Sequence, residues 1–235
     1  MQKAAVIVAG GSGKRMKSDI PKQFLPLGNM PILFRTVKRF LAFDPELQVI
    51  LVLPQSNMSD WYGLTNLYLS EEEGNRIHVQ EGGATRTQSV CNGLNLLSQQ
   101  ADPEKTLVAI HDGVRPLIET DVMERAFTTA RQYGAAVSCV PVKSSMREET
   151  MPGNSQPVDR SKYWHVQTPQ TFLLSGILKA FSMREHDEFT DDASLYQAYV
   201  GEVAICEGSY DNLKVTTPED LFVADALLRR QEGHN

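Results

Sequence analysis

Cysteine is scarce: Cys91, Cys139 and Cys206 are the only three in 235 residues. They are odd in number, far apart and set in largely apolar stretches, with no Cys-x-x-Cys pair. That pattern argues against both a disulfide framework and a structural zinc, and the three are expected as small core side chains. Long apolar runs are lacking too. Nothing approaches the roughly eighteen or more consecutive apolar residues that a membrane span requires, and Met1-Gln2-Lys3-Ala4-Ala5 leads into a strand-like run instead of a signal peptide. The expectation is a soluble, cytoplasmic protein with no membrane partner. Positive charge is in deficit overall: 23 Lys and Arg against 29 Asp and Glu give a net charge of −6. A nonspecific nucleic-acid binder would show the opposite balance. Internal repeats and low-complexity tracts are missing as well.

What the sequence does contain is a local exception to that charge. Residues 1–22 carry Lys3, Lys14, Arg15, Lys17 and Lys22 against Asp19 alone, a basic pocket on an acidic protein, which suits a small polyanion better than a long polymer. Apolar runs at 4–9, 48–54, 76–80, 106–111, 135–142 and 202–206 read as buried strands. Between most of them the apolar residues take helical spacing, as in Leu33, Val37, Phe40 and Leu41, in Val90, Leu94 and Leu97, and in Val122, Ala126 and Ala130. Strand and helix thus alternate, which predicts an α/β fold: a Rossmann-like, mainly parallel twisted sheet with helices on both faces, spanning residues 1–235 as one domain. In such sheets ligands bind where loops leave the carboxyl ends of the strands. The polar segments 10–22, 82–89 and 111–116 fall there. One connection, at about 143–166, is too long for an ordinary loop in a compact domain. The extended look of 157–160 and 163–166 predicts a projecting β-arm of two strands that needs a second copy of the chain to pack on, hence a homodimer.

The segment after the first strand, Ala9-Gly10-Gly11-Ser12-Gly13-Lys14-Arg15-Met16, followed by Pro21-Lys22-Gln23-Phe24, matches neither common phosphate motif. A P-loop would need glycine at Val8 and Ser or Thr at Arg15, and the dinucleotide fingerprint would need glycine or alanine at Met16. Its glycines still let successive N–H groups converge on an anion, with Arg15 supplying a planar fork for phosphate oxygens and Lys22 a point charge. A solvated Gly-Ser turn is the alternative.

Taken together, this loop, Glu-Gly-Gly-Ala-Thr-Arg-Thr-Gln-Ser-Val at 81–90, His-Asp-Gly-Val-Arg-Pro at 111–116, Val-Asp-Arg at 158–160, Val-Gln-Thr-Pro-Gln-Thr-Phe at 166–172, Thr-Asp-Asp-Ala-Ser at 190–194 and Asp-Asn-Leu-Lys-Val-Thr at 211–216 resemble the 2-C-methyl-D-erythritol 4-phosphate cytidylyltransferases. These motifs run across nearly the whole chain. The resemblance implies a nucleotidyltransferase that joins a cytidylyl group from CTP to a polyol phosphate and releases pyrophosphate. It implies that Arg15, Lys22, Arg160 and Lys214 are catalytic, and that Ala9, Gly10, Gly11, Ser12 and Gly13 cradle the triphosphate. Gly82, Gly83, Arg86 and Ser89 would form the cytosine side, with Ala84 where many relatives carry an acidic residue. Asp112 would bind nucleotide, acceptor and Mg2+, for which hard oxygen donors are suited. Arg115, Ser145, Arg160 and Thr190 would contact the acceptor, Ser145 standing where the family usually has Thr.

Bland readings stand beside these. Arg86 and Ser89 could be an ordinary helix start, Thr190 and Asp191 a helix N-terminus, Lys214 a surface lysine, Arg115 a support for the turn before Pro116, and His111 a strand-end histidine satisfied by hydrogen bonds. Competing functions are a ribitol-5-phosphate cytidylyltransferase, a metal-dependent glycosyltransferase, which would want an Asp-x-Asp pair where Asp112 is followed by Gly113 and Val114, and a noncatalytic nucleotide sensor.

Overall fold

The first apolar run becomes a central strand of the sheet. In the computed structural model, which describes residues 1–11, 16, 20–185 and 189–233, β1 is Gln2–Val8. After it come a short ladder of β2 (Pro26–Leu27) and β3 (Met30–Pro31), then α1 (Ile32–Phe43), β4 (Gln48–Leu53), α2 (Met58–Tyr68), α3 (Glu71–Asn75), β5 (Ile77–Glu81), α4 (Arg86–Ser98), β6 (Thr106–Asp112), α5 (Thr120–Tyr133) and β7 (Ala135–Pro141). The chain continues through β8 (Arg147–Met151), β9 (Asn154–Pro157), β10 (Trp164–Leu173), α6 (Leu174–Met183), α7 (Asp192–Tyr199), β11 (Ala204–Glu207) and α8 (Pro218–Gln231). Among the described residues no helix is long and apolar enough to cross a membrane.

Seven strands pair in the order β11-β7-β10-β6-β1-β4-β5. The β1–β4, β1–β6, β4–β5 and β7–β11 ladders are parallel, while β10 runs antiparallel between β6 and β7. Every residue of β6 is buried, as its nearly unbroken apolar run demands of a strand covered on both faces. Successive residues feed opposite layers. Ala5 and Ile7 pack with Phe34, Val37 and Phe40 of α1 and Val122 and Ala126 of α5, whereas Ala4 and Val6 pack with Val90, Leu94 and Leu97 of α4 and Ile177 of α6. The three predicted helical stripes are thus the buried faces of α1, α4 and α5. Cys139 and Cys206 are buried and Cys91 is half-buried, all three as free thiols, and burial pushes the Cys139 thiol up to about 12.

Close packing of α4 on the sheet depends on Gly93. A Cβ there would stand 2.7 Å from Val6 Cγ1 and 2.8 Å from Val52 Cγ2, so only glycine lets the helix lie this close. That approach brings the α4 N-terminus over the end of β1.

The long connection differs in part from its expected form. β8 and β9 form a fully exposed antiparallel hairpin, but Trp164–Val166 belongs to β10 and pairs with Pro141, Val140 and Cys139 of the main sheet. Only the 147–157 portion projects. The Gln167-Thr168-Pro169-Gln170 stretch lies within β10 where its register with β7 shifts between Val166 and Gln170, an irregularity of the kind that accommodates proline inside a sheet.

Candidate active site

The carboxyl ends of β1 and β6 and the loop after β5 open into one cleft of about 240 Å³, lined among others by Ala9, Gly10, Gly11, Lys22, Gly83, Ala84, Arg86, Ser89, Asp112 and Lys214. Parallel register explains the convergence, since Val8 stands opposite Asp112 across the β1–β6 ladder and opposite Val52 across β1–β4. Lys22 leans over Gly11, where an added Cβ would stand 3.3 Å from its Cε. A second cleft of about 380 Å³ adjoins the first and shares Arg86, Asp112 and Lys214, adding Arg115, Thr168, Gln170, Thr190 and Asp191. A larger hollow of about 530 Å³ over Trp61, Tyr62 and Ile77 at the β5 edge gathers no set of opposed charges. Opposed charges gather instead at the strand ends, where Arg86, Asp112 and Lys214 meet.

Asp112 is the electrostatic centre. Its Oδ2 lies 3.0 Å from Lys214 Nζ and accepts from Arg115 Nε at 3.1 Å, while Oδ1 stands 3.9 Å from Arg86 Nε. Burial alone would raise this carboxyl, yet the pull of Lys214, then of Arg115 and Arg86, holds it well below the usual carboxylate range. Its backbone is fixed as well, because Asp112 N donates to Thr168 Oγ1 at 3.1 Å. His111 is fully buried, with Nδ1 3.1 Å from Thr168 Oγ1 and Nε2 3.3 Å from Arg115 O. Burial brings it down to about 4, against the pull of Asp112 and with the push of Arg115. The ring is neutral at pH 7 and satisfied by hydrogen bonds.

Several expected ligand groups are already engaged. Arg115 is buried, and its Nη1 donates to Asn212 O at 2.8 Å. Ser89 Oγ accepts from Gly83 N at 3.0 Å and donates to Thr85 O at 2.8 Å, so it shapes the turn beneath the cleft. Arg86 forks onto Asp192, Nη1 to Oδ1 at 3.1 Å and Nη2 to Oδ2 at 2.7 Å. Burial opposes the Arg86 charge, but Asp192, with help from Asp112 and Asp191, holds the guanidinium above its usual range. Asp191 caps α7 by accepting from Ser194 N at 2.9 Å and also accepts from Gln170 Nε2 at 2.8 Å.

Ser145 and Arg160 line neither cleft. Both are exposed beside the hairpin, where Arg160 Nη1 donates to Lys143 O. Gly82 closes the turn below the first cleft, its N–H donating to Leu53 O at 2.8 Å. Ser12, Gly13 and Arg15 lie outside the described residues. Sequence reading overlooked Asp192, Thr168 and Asn212. Asn212 Nδ2 donates to Thr168 O at 2.7 Å, tying the segment before Lys214 to the strand that steadies Asp112. The signal for Asp192 lay in the doubled acid of Thr-Asp-Asp: one carboxylate suffices to cap a helix, and the second needed a partner of its own.

The family profile for 2-C-methyl-D-erythritol 4-phosphate cytidylyltransferase matches residues 3–230. The protein of that name from Bacteroides thetaiotaomicron is 41% identical over 230 residues, covering 97% of this chain and 100% of that one. Its namesake from Phocaeicola vulgatus is 40% identical over 228 residues, with the same coverage of 97% and 100%. Among solved structures, the 2-C-methyl-D-erythritol 4-phosphate cytidylyltransferase of Thermus thermophilus superposes with a TM-score of 0.75 at 31% identity over 97% of this chain and 100% of that one. The 4-diphosphocytidyl-2C-methyl-D-erythritol synthase of Anaerococcus prevotii gives a TM-score of 0.80 at 26% identity, over 97% and 96%. With the motifs in order along the sequence and the paired clefts at the strand ends, these matches make the chain a member of the 2-C-methyl-D-erythritol 4-phosphate cytidylyltransferase family.

Proposed function

We propose that this protein converts CTP and 2-C-methyl-D-erythritol 4-phosphate to 4-diphosphocytidyl-2-C-methyl-D-erythritol and pyrophosphate, a step of non-mevalonate isoprenoid biosynthesis carried out in the cytoplasm. The observation that carries the reading is the pair of adjoining clefts that share Arg86, Asp112 and Lys214. Two phosphoesters that repel one another need such a shared cationic wall.

The reaction is in-line attack by an acceptor phosphate oxygen on the α-phosphorus of CTP, with pyrophosphate leaving. A phosphate monoester has its second pKa near ~6 and is already ionised at neutral pH, so the site need not supply a general base. The residues at the strand end agree with that: His111 is buried, hydrogen-bonded and weakly basic, and Asp112 is committed to cations. What the chain must do is position two anions and offset charge on the transferring group. Lys22, Arg15 and the amides of 9–13 would hold the triphosphate, Gly83 and its neighbours the base, and Lys214 the phosphates where the clefts meet. Thr190 and Arg115 would border the acceptor.

A divalent metal, Mg2+ in our reading, fits Asp112 through Oδ1, the oxygen whose cation stands farther away, at 3.9 Å. Among the described residues no cluster of three or more His, Cys, Asp or Glu surrounds it, so the triphosphate would provide most of the other ligands. Bound there, the ion would neutralise phosphate charge.

The hairpin at 147–157 supports a homodimer. A two-stranded ribbon is marginal alone, and Met151, Tyr163, Trp164 and Val166 leave apolar surface exposed along it and at its base. Ser145 and Arg160 would then complete a partner's acceptor cleft. Mixing inactive Arg160→Ala with inactive Lys214→Ala subunits is expected to restore turnover; a monomeric protein, or mixed dimers that stay inactive, would disprove this arrangement.

The direct test is pyrophosphate release over a panel of nucleotides and polyol phosphates. Release is expected from CTP with methylerythritol phosphate, and it should fall on the order of a hundredfold in Arg15→Ala and in Lys22→Ala. CTP binding without release under any acceptor would instead indicate a sensor, and preference for ribitol 5-phosphate the sister activity.

A further inference from the structure

We infer that Gln88 sets the choice of cytosine over uracil in this chain, by keeping the main chain at Ala84, beside Gly83 against which the base lies, from presenting an outward hydrogen-bond donor. The inference rests on the functional reading above, in which the base meets Gly83 and its neighbours. In that turn three successive N–H groups are directed inward. Gly82 N donates to Leu53 O at 2.8 Å, Gly83 N to Ser89 Oγ at 3.0 Å, and Ala84 N to Gln88 Oε1 at 3.1 Å. The first two acceptors belong to buried residues. The third is an exposed side chain on the first turn of α4.

Local geometry brings Gln88 to this position. Its backbone N–H is held by the N-cap, donating to Thr85 Oγ1 at 3.0 Å. Its side chain crosses the bare Cα of Gly83, where a Cβ would stand 2.3 Å from Gln88 Cγ. Gly83 must therefore be glycine for Gln88 to reach Ala84. Gly83, Ala84 and Thr85 line the cleft while Gln88 is not among its lining residues, so Gln88 acts through the turn and is a positioning residue.

With a methyl group at position 84, polar contact there falls to the main chain, and a peptide whose donor is occupied can offer only its carbonyl oxygen. Acceptors suit the exocyclic amine that cytosine carries at C4. Uracil presents a carbonyl oxygen at that position and would face acceptor against acceptor. Removing Gln88 releases the Ala84 N–H, a donor that can serve uracil.

The test compares kcat/KM for CTP and for UTP in wild type, Gln88→Leu and Gln88→Glu. Leucine keeps the bulk but removes the acceptor, and the CTP/UTP ratio is expected to fall by about tenfold, the scale of one neutral hydrogen bond. Glutamate keeps an acceptor oxygen and should retain the ratio. A structural role alone would lower both nucleotides together, so an unchanged ratio in Gln88→Leu, or an equal drop in Gln88→Glu, overturns this inference and leaves the cytidylyltransferase reading standing. Failure of the wild type to use CTP at all overturns both.

Discussion

Lys214→Ala is expected to lower kcat/KM for pyrophosphate release by at least about a hundredfold, the scale seen when one preorganised donor to a transition state is removed, while the protein remains folded. Its ammonium lies where the two clefts meet and its side chain is 42% exposed, so the truncation leaves no core cavity. Position explains the size of the effect. Charge on the transferring phosphoryl group is offset most by cations already fixed in place, and Asp112 fixes this one at 3.0 Å. Asp112→Asn should combine a similar loss of turnover with a loss of stability. Arg115 and Asp112 are both buried, and taking away the anion leaves an uncompensated cation, at roughly 3–5 kcal/mol for a pair of this kind. The carboxyl is depressed in the folded protein, so its contribution is fully present above the unfolded carboxylate range and is lost as pH falls below that range toward the folded value. Steady-state kinetics paired with thermal melts separates the two variants. Turnover within tenfold of wild type in Lys214→Ala would remove Lys214 from the reaction.

Most of the sheet could be read in advance because its strands are covered on both faces and must be apolar throughout. β6 displays this most plainly, and the stripes of α1, α4 and α5 follow from the layers they cover. β10 could not be read that way. Apart from Phe172 and Pro169 its buried residues are Gln and Thr, and the two glutamines support the site: Gln170 accepts from Ala193 N at 2.8 Å, and Gln167 Nε2 donates to Ser209 O at 2.8 Å. Hydrogen bonds to distant segments compensate the burial of Gln167 and Gln170, and periodicity carries no trace of such partners. Much the same holds for the site. Ala9 to Gly11, Lys22, Asp112 and Lys214 were legible because each stands in a motif just beyond a strand or ahead of a helix. Ser89 and Arg86 were legible as important residues, but their contacts were not, since an N-terminal helical position looks alike whether its side chain faces a ligand, a glycine turn or a carboxylate 106 residues away.

That last contact gives the second large effect: Asp192→Ala should destabilise the protein by about 3 kcal/mol, at the low end of what breaking a buried ion pair costs because the Arg86 side chain is 35% exposed. In a protein of this length that corresponds to a melting temperature lower by roughly 6–12 °C. Asp192 is almost wholly buried, and burial pushes its carboxyl up against the pull of Arg86. Neither group tolerates the loss of the other. The paired replacement Arg86→Met with Asp192→Leu removes both charges and is expected to recover most of the stability, yet not the turnover. Turnover is expected to depend on the guanidinium itself, because Arg86 lines both clefts and its Nε stands 3.9 Å from Asp112. The Arg86–Asp192 pair thus ties the α4 N-terminus, which borders the first cleft, to the α7 N-terminus, which borders the second. If the double variant melts like wild type and also turns over like wild type, the pair is a structural tie without influence on the reaction; if it recovers neither, its role in stability is not that of an ion pair.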